Sequence, residues 1–457
     1  MKFSQNIELD ITMDNALILD GQSRILNWLY NHCLQKSKDE LEAHKNDKNV
    51  KLTFASKHGL RDYMVNEMKT SEEYKFLSSV YSKPLKESAD RCENALKQYY
   101  KDYFGRKNGT ATSKVKRGFP KFRSWRAEWF SIYYDEANVG YKIEGDKVRF
   151  TLGTDENGNR LYADATLKEP VKKGKVKTLR ICKNLGKYYV NLSMETEDRT
   201  VDTNAKRWVS IDQNHKNFFC AIDHNGGTIE FEYNKICKYF DEQIDKVKSK
   251  RDKVKKFLDK DNKKFDKELK YKVYTKKYAH LTNTIKYLYQ KRREQIKTFL
   301  NSVACFLYEN YDIVIIGDYT PTVELTKSTK MRRSMLNQSF ISKFRQVLKH
   351  HASKNGKVFV VKSEVNTTKH CPYCGRSVKK SPDIREYICK GCSHKIIRDI
   401  GSCMNIGYEE IINLSGTDYF KTLDTSVMMY GISYSYQRGI AVRELNDSRD
   451  WGSAKVI

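Results

Sequence analysis

Hydrophobic and polar residues alternate in different ways along the chain, and the pattern divides it into parts. Residues 2–9 alternate with a period of about two, which predicts a short strand. From residue 16 to about 104 the apolar residues recur every three or four positions, which predicts a helical region. Residues 140–207 contain short strand-like runs separated by turns such as Asn157-Gly158, and this arrangement predicts a small β-barrel or sandwich.

The pattern changes again at Trp208 and becomes typical of an α/β domain. Residues 208–231 predict two strands joined by a turn at 223–227, and residues 235–309 predict long helices. A strand, a helix at 337–352 and another strand follow in that order. Apolar strands flanked by helices indicate a sheet that is buried on both faces. Functional sites of such sheets form at the carboxyl ends of the strands.

Four cysteines near the C-terminal end form the most specific pattern in the chain. Two Cys-x-x-Cys pairs, Cys371/Cys374 and Cys389/Cys392, are separated by fourteen residues. Pairs with this spacing present four thiolates from two tight turns, which is the arrangement of a zinc ribbon. The sequence therefore predicts one structural Zn²⁺ ion bound by these cysteines, and a set of buried free thiols is the alternative.

Carboxylates occur at the strand ends, where a sheet of this α/β class forms its functional site. Asp212, Asp318 and Glu364 fall at or near strand ends, and Asp399 lies just before a helical segment. Mg²⁺ prefers hard oxygen ligands, and two-metal cleavage of a phosphodiester uses several carboxylates. The sequence therefore predicts a magnesium-dependent site at this edge of the sheet. Asp223, by contrast, occurs in a turn and is interpreted as structural.

The charge of the chain indicates a polyanionic partner. Its 457 residues include 85 Lys and Arg against 57 Asp and Glu, a net charge of +28. This excess favours nucleic-acid binding, and a merely lysine-rich soluble protein is the alternative. The eleven cysteines are an odd number, so a reducing bacterial cytosol fits better than a secreted disulfide scaffold. We expect no signal peptide and no membrane partner, because no apolar run approaches the length of a membrane span.

Basic and aromatic residues alternate just after a polar segment. Residues 105–118 are basic and contain glycines, which predicts a linker. In the residues that follow, cations suit phosphate contact and aromatic rings suit base stacking. Aromatic core anchors with solvated charges between them are an equal alternative. The candidate nucleic-acid contacts are Arg117, Lys121, Arg123, Trp125 and Arg126.

Several of these motifs resemble those of one nuclease family. The segments SIDQNHKNFFCAID, IVIIGDYT, NTTKHCPYCG and IIRDIGSCMNI resemble the RuvC-type, RNase H-like nuclease of TnpB transposon proteins and of the compact type V CRISPR effectors descended from them. Upstream, LYNHCLQ and GFPKFRS resemble the N-terminal half of TnpB. The resemblance implies an α/β RuvC nuclease domain with an inserted zinc ribbon, a β-barrel wedge domain and an α-helical recognition lobe.

The family pattern also implies a division of the chain and a set of partners. The parts are a wedge barrel (1–14 and 120–207), a recognition lobe (15–119), a RuvC-like nuclease (208–363 and 393–420), a zinc ribbon that contacts target nucleic acid (364–392) and a C-terminal tail (421–457). The implied partners are a guide RNA and a double-stranded target DNA, cut beside a short flanking motif. Base pairing would read the sequence while protein reads the flank and the backbone shape. Monomer and dimer are both left open.

The chain departs from the family at the second catalytic strand. The usual glutamate before Asp-Leu is replaced by Gly317, which precedes Asp318. Glu364 ends the next strand, and some TnpB-like proteins with a Gly-Asp motif resemble the chain in carrying a glutamate just before the ribbon. The resemblance therefore implies Asp212, Glu364 and Asp399 as catalytic magnesium ligands, with Asp318 in reserve. The alternative for Glu364 is a solvent-exposed residue at a strand end.

Three classes of function fit these observations. An RNA-guided DNA endonuclease is favoured. A nuclease-inactive, guide-RNA-dependent DNA-binding repressor would follow from the missing glutamate at Gly317, although Asp212 and Asp399 are intact. A guide-independent zinc-ribbon DNA-binding protein is the third class. Cleavage of a matched plasmid separates the first class from the second, and co-purified RNA separates both from the third.

Overall fold

The computed structural model divides the chain into two compact units, Met1–Glu197 and Asp198–Ile457. The described residues are 1–111, 116–124, 129–197, 199–201, 205–214, 218–232, 235–264, 275–319, 340–377, 384–416, 429–435 and 439–445. Trp125 and Arg126, two of the predicted nucleic-acid contacts, lie outside the described residues.

The first unit contains a seven-stranded antiparallel sheet. Its strands are β1 (Lys2–Asp10), β2 (Ile132–Tyr134), β3 (Tyr141–Glu144), β4 (Lys147–Thr154), β5 (Arg160–Leu167), β6 (Lys175–Asn184) and β7 (Lys187–Glu195). Their order is β2-β6-β7-β1-β5-β4-β3. The N-terminal strand therefore lies in the middle of the sheet, paired with β7 and β5. Within the described residues the edge strands β2 and β3 do not pair with each other, so the closed barrel stays a prediction.

The described part of the first unit also contains helices. The longer ones are α1 (Met13–Asn46), α2 (Gly59–Tyr63), which continues as a π-helix to Met68, and α3 (Ser82–Lys107), and two short 3₁₀ segments, Thr53–Ala55 and Glu72–Ser79, lie between α1 and α3. Leu26 on α1 and Leu96 on α3 are fully buried, as the helical spacing of the apolar residues predicts. The predicted linker begins later than residue 105, because α3 continues to Lys107.

The second unit contains a mixed seven-stranded sheet. Its strands are β8 (Trp208–Gln213), β9 (Phe219–Asp223), β10 (Thr228–Glu232), β11 (Ile313–Gly317), β12 (Val358–Lys362), β15 (Met429–Ser435) and β16 (Gly439–Leu445); β13 (Glu386–Ile388) and β14 (Lys395–Ile397) form a separate antiparallel pair. The order in the large sheet is β12-β11-β8-β9-β10-β15-β16. The strands β12, β11 and β8 run parallel, which places their carboxyl ends at one edge.

Two parts of this sheet differ from the sequence prediction. Residues 208–231 contribute to three strands and not two, because β8 ends at Gln213 and β9 begins only at Phe219; the Asn214 amide donates to the Phe218 carbonyl at 3.2 Å between them. The segment expected to be a C-terminal tail contributes β15 and β16, and β15 pairs in parallel with β10. The large sheet therefore draws on residues from nearly the whole unit.

Helices cover both faces of this sheet. They are α4 (Lys235–Lys264), α5 (Lys276–Asn310), α6 (Ile341–Asn355) and α7 (Arg398–Ser415). Ile316 of β11 packs in one core with Phe299 of α5 and Phe344 of α6, whereas the neighbouring Ile315 packs in another with Ile400 of α7. Successive strand residues point to opposite faces, so β11 is buried on both sides as its continuous apolar run predicts. No helix in the described part of the chain is long and apolar enough to cross a membrane.

Candidate metal centres

Parallel pairing brings three of the predicted carboxylates to one edge of the sheet. Ile211 is level with Ile316, and Gly317 is level with Lys362. Asp212 follows Ile211 directly and Asp318 follows Gly317 directly, while Glu364 comes two residues after Lys362. Helix α7 packs against the same strands and begins at Arg398, so Asp399 lies in its first turn and not just before the helix, as predicted.

The side chain of Glu364 lies directly against the backbone of Gly317. A Cβ atom at Gly317 would be 1.8 Å from Glu364 Oε1 and 2.4 Å from its Cδ. No side chain fits at position 317 while Glu364 keeps this position. The carboxylate therefore fills the volume that a residue at 317 would otherwise occupy. Its Oε1 atom is buried and has no hydrogen-bond partner among the described residues, so the alternative of a solvated strand-end glutamate does not describe this side chain.

The reserve residue Asp318 holds the backbone at Glu364. Its Oδ1 accepts a hydrogen bond from the Glu364 amide at 3.0 Å. Arg345 fixes the end of β11 in a similar way, because its Nη1 donates to the carbonyls of Gly317 (3.1 Å) and Tyr319 (2.8 Å). Both contacts position the strand ends from which the Glu364 carboxylate extends.

The buried carboxyl groups influence one another electrostatically. Burial raises the pKa of Asp212 to about 8, and the charges of Glu364 and Asp399 act in the same direction. A hydrogen bond from Ser402 and the charge of Arg398 partly oppose this rise in pKa. Burial likewise raises the pKa of Glu364 to about 7. Acidic groups that share a buried site and repel one another are stabilised by a cation.

Both oxygens of Asp399 contact arginines. Arg385 Nη1 donates to Oδ2, and Arg398 donates to Oδ1 from Nε (3.1 Å) and Nη2 (3.0 Å). In the described part of the chain, only the four cysteines bring three or more ligand atoms within 4.8 Å of one another. Asp212, Glu364 and Asp399 are thus electrostatic neighbours that are spaced more widely than the cysteine cluster.

The four predicted zinc ligands converge. Their ligand atoms all lie within 4.8 Å of one another, with Sγ–Sγ distances of 3.6 Å for Cys371–Cys392 and for Cys374–Cys389. A tetrahedron with Zn–S bonds near 2.3 Å has edges of about 3.8 Å, so the cluster fits Zn²⁺. The strands β13 and β14 continue this ribbon to Ile397, beyond the boundary predicted at residue 392.

Hydrogen bonds tie the start of the ribbon to α7. Thr367 Oγ1 and Ser402 Oγ are 3.0 Å apart in a buried contact. Asn405 Nδ2 donates to the carbonyls of Thr367 (2.7 Å) and His370 (2.9 Å). Ser402 also influences the pKa of Asp212 at the end of β8, so the hydrogen-bonded connection between the ribbon and α7 lies beside that carboxyl group.

The predicted nucleic-acid contacts of the first unit have different surroundings. Arg123 donates from Nε to Asn27 Oδ1 at 2.8 Å, and its guanidinium lies 4.9 Å from the Phe130 ring centroid. Arg117 and Lys121 are exposed. Arg123 thus connects its segment to α1, and Arg117, Lys121 and Arg123 all stay predicted nucleic-acid contacts.

Three residues that the sequence did not single out contact the site. Ser402 lowers the pKa of Asp212 against the effect of burial, Arg345 holds the end of β11, and Arg385 contacts Asp399. Arg345 and Arg385 reach the site from a helix and from the ribbon, and no local motif marks them. Ser402 lies three residues after Asp399, one helical turn further along α7, and this spacing is a signal that the sequence does contain.

Comparisons with known proteins agree with the motifs. Residues 342–406 match the family model described as Cas12f1-like, TNB domain. A comparison with curated proteins gives no match. Among solved structures, a cryo-EM structure of a Cas12f1–sgRNA–target DNA complex is 11% identical, with 89% of this chain and 98% of that chain covered and a TM-score of 0.53.

Two further solved structures are similar over most of the chain. CasPhi-2 (Cas12j) bound to crRNA and phosphorothioate-DNA is 10% identical, with 91% of this chain and 92% of that chain covered and a TM-score of 0.43. The mini-RNA-guided endonuclease CRISPR-Cas phi3 is 11% identical, with coverages of 91% and 93% and a TM-score of 0.41. The family-model match and the fold shared with Cas12f1 confirm the predicted resemblance to TnpB-like, compact type V effectors.

Proposed function

We propose that the chain is an RNA-guided DNA endonuclease that cuts double-stranded target DNA beside a short flanking motif. One observation carries the proposal: the Glu364 carboxylate lies against Gly317, at the sheet edge that also holds Asp212, and its buried Oε1 has no hydrogen-bond partner in the part of the chain that the structure describes. The fold shared with a Cas12f1 structure solved with sgRNA and target DNA supports the choice of partners. The bacterial cytosol is the proposed location.

The residues at this edge suit magnesium. Mg²⁺ takes carboxylate oxygens as ligands, and the buried, unpartnered Oε1 of Glu364 needs a cation or a donor. Asp212, Glu364 and Asp399 would hold the metal, with Asp212 and Glu364 contributing most because Asp399 contacts two arginines. When bound, magnesium would supply activation of the attacking water and stabilisation of the leaving oxygen.

Other residues of the chain position these ligands. The Ser402 hydroxyl favours the charged form of the Asp212 carboxyl group, because it partly opposes the rise of that pKa. Asp318 holds the Glu364 amide, which fixes the point from which that side chain extends. Arg345 fixes the carbonyls at the end of β11. The zinc ribbon stabilises the segment between Glu364 and α7, and it would thereby set the separation of the two halves of the site.

The parts implied by the family resemblance have corresponding elements here. The antiparallel sheet of the first unit is the proposed wedge, and α1 to α3 are the proposed recognition lobe. The mixed sheet of the second unit is the proposed RuvC-like nuclease. Guide RNA would be bound mainly by the basic surface, and target recognition would follow from base pairing.

The proposal is tested by cleavage of a plasmid that matches RNA recovered with the protein. We expect Glu364→Gln to abolish magnesium-dependent cleavage while RNA and target binding stay near wild type, because the substitution keeps the shape and removes the charge. Asp318→Asn should be milder, since Asp318 hydrogen-bonds to a backbone amide. Glu409→Gln is the matched control, because this glutamate is 77% exposed and pairs with Lys362. Wild-type cleavage by Glu364→Gln together with an inactive Asp318→Asn would identify Asp318 as the ligand.

A nuclease-inactive, guide-dependent DNA-binding protein is the second candidate. The arginine contacts on both oxygens of Asp399 favour it, because a carboxylate neutralised by Arg385 and Arg398 is a weaker metal ligand. Such a protein would bind a matched duplex with its guide RNA and leave the plasmid intact at any magnesium concentration. Guided cleavage by the wild-type protein excludes this candidate.

A further inference from the structure

A polar cavity lies in the first unit. Its lining residues are far in the sequence from Asp212, Glu364 and Asp399 and from the zinc ribbon. It has a volume of about 370 Å³ and is lined by residues of α2, α3, β2, β6 and the segment after β2. Every lining side chain is polar or charged. Five cations face three carboxylates, which gives the lining a net charge of +2. The cations are Arg61, Lys83, Lys86, Arg91 and Arg180.

Two of the arginines are held in place by shared partners. Arg91 Nε donates to Glu87 Oε1 at 2.7 Å, and Arg180 Nη2 donates to the same oxygen at 2.9 Å. Ser131 Oγ accepts from Arg91 Nη2 (2.9 Å) and from Arg180 Nη1 (3.2 Å). One carboxylate thus serves two guanidinium groups, so one positive charge of the pair is not neutralised by Glu87. Each guanidinium also retains N–H groups for an additional acceptor.

Further positive charge comes from the helices beside this pair. Lys86 makes no ion pair in the described part of the chain, and its charge, added to burial, lowers the pKa of the neighbouring Lys69. The charge of Arg61 partly opposes the rise that burial causes in the pKa of Asp90. The two side chains form no hydrogen bond among the described contacts. Lys83, in contrast, is paired with Asp135 at 3.5 Å. Lys86 and Arg61 are therefore the cations whose charge is most available to a ligand.

We propose that this cavity is a binding site for a nucleotide phosphate. Rigid guanidinium forks match the geometry of phosphate oxygens, and the net positive charge disfavours a cation. The polar lining disfavours an apolar ligand. The volume lies near the lower end of small-molecule sites, so one nucleotide fits and a duplex does not. The phosphate belongs either to an RNA strand, a source that rests on the proposed function, or to a free nucleotide.

The test uses the full-length, zinc-loaded protein and two probes, a 5′-labelled 20-nucleotide single-stranded RNA and AMP. The cavity variants are Lys86→Gln and Arg61→Gln. Their matched controls are Lys142→Gln and Arg149→Gln, which remove the same charges from exposed residues of the same unit that pair with Glu144 and Asp164. Lys86→Gln removes no ion pair within the described residues, so it keeps the test valid if Arg61→Gln fails to fold.

Each cavity variant should weaken RNA binding by roughly 3- to 10-fold and reduce the salt slope by about 0.7, as expected when one phosphate contact is lost. The controls should change neither quantity. If AMP binds the wild type and binds Lys86→Gln more weakly, the site takes a free nucleotide; if only RNA binding changes, it takes a strand phosphate. Cavity variants that match their controls with both probes overturn the proposal. RNA binding that changes as expected in a protein that cuts no matched plasmid would instead contradict the proposed nuclease.

Discussion

At the scale of single residues, Gly317 and Glu364 act as one unit although they belong to different strands. A methyl group at position 317 would lie 1.8 Å from Glu364 Oε1, so Gly317→Ala must displace the carboxylate. We expect a loss of guided cleavage of about 10²-fold, the cost of misplacing a reacting group by about 1 Å. Single-turnover plasmid cleavage measures it, and Gly21→Ala, a glycine with nothing within 4 Å of its added Cβ, is the control.

The same pair allows a compensating exchange. Gly317→Glu combined with Glu364→Gly moves the carboxylate back to the position that the family usually uses. We expect the double variant to cut faster than Gly317→Glu alone, because the single variant places two side chains in one volume. A double variant no better than either single variant would show that the two positions are not exchangeable.

His351 provides a prediction on stability and pH. It is buried, its Nε2 lies 3.0 Å from Asn301 Oδ1, and burial lowers its pKa to about 4. Between pH 6.5 and 4 the unfolded chain therefore binds more protons at this residue than the folded chain. Stability should fall as the pH is lowered through this window, by about 1–3 kcal/mol.

Urea unfolding at several pH values measures this contribution. His351→Gln should flatten the dependence between pH 6.5 and 4, because glutamine does not titrate there. His280→Gln, which removes an exposed histidine of α5 and keeps both His350 and His351, should retain the wild-type slope. Equal slopes in wild type and His351→Gln would mean that other groups cause the acid sensitivity.

The residues of the candidate site could be predicted where the signal is local. Asp212 and Glu364 lie at the ends of strongly apolar strands, and parallel pairing then brings them to one edge. The role of Gly317 as the space for the Glu364 carboxylate depends on pairing between distant strands. The contact of Arg385 with Asp399 depends on how the ribbon packs beside α7, and no spacing in the sequence encodes it.

At the scale of elements, the ribbon should depend on its metal. The four sulfur atoms gather within 4.8 Å, and the paired strands beside them, β13 and β14, have only three residues each. So small an element obtains its folding free energy from metal binding. Cys371→Ser should therefore lose zinc and expose the ribbon to amide exchange, while Cys182→Ser, in β6 of the other unit, should not.

Elemental analysis and amide hydrogen exchange check this prediction. We expect one zinc per wild-type chain, and guided cleavage should fall in Cys371→Ser because the ribbon follows Glu364 and precedes Asp399. A folded wild-type protein without zinc would contradict the metal assignment. Retention of one zinc by Cys371→Ser would show that this cysteine is dispensable as a ligand.

The elements themselves could be predicted where a period extends over many residues. The long helices α1 and α5 and the strand β11 follow their hydrophobic patterns closely. The apolar pattern does not reveal the division between β8 and β9, because the buried Phe218 and Phe219 continue the apolar run after β8 has ended at Gln213. The place of β15 in the large sheet depends on its pairing with β10, which joins segments that are far apart in the sequence, and β16 joins the sheet through β15.

At the scale of the whole molecule, the net charge of +28 predicts a polyanionic partner, and the functional classes differ in whether that partner includes an RNA. Both the guided nuclease and the guided repressor must hold an RNA, and each phosphate contact releases counterions, so binding weakens steeply with salt. A guide-independent zinc-ribbon protein has no need for an RNA. The charge alone does not decide between these classes, because charge describes the surface and not the fold.

Protein purified at low salt from a host that carries the native locus should therefore contain one dominant, structured RNA. With six to ten phosphate contacts, its affinity should fall by about 10³- to 10⁵-fold between 50 and 200 mM salt. Sequencing of the RNA identifies it, and titration of the reconstituted complex measures the slope. Lys142→Gln, an exposed residue paired with Glu144, should leave the slope unchanged. Nucleic-acid-free protein from such a host, or a mixture of RNAs that follows their abundance in the cell, would contradict a guide RNA and favour the guide-independent class.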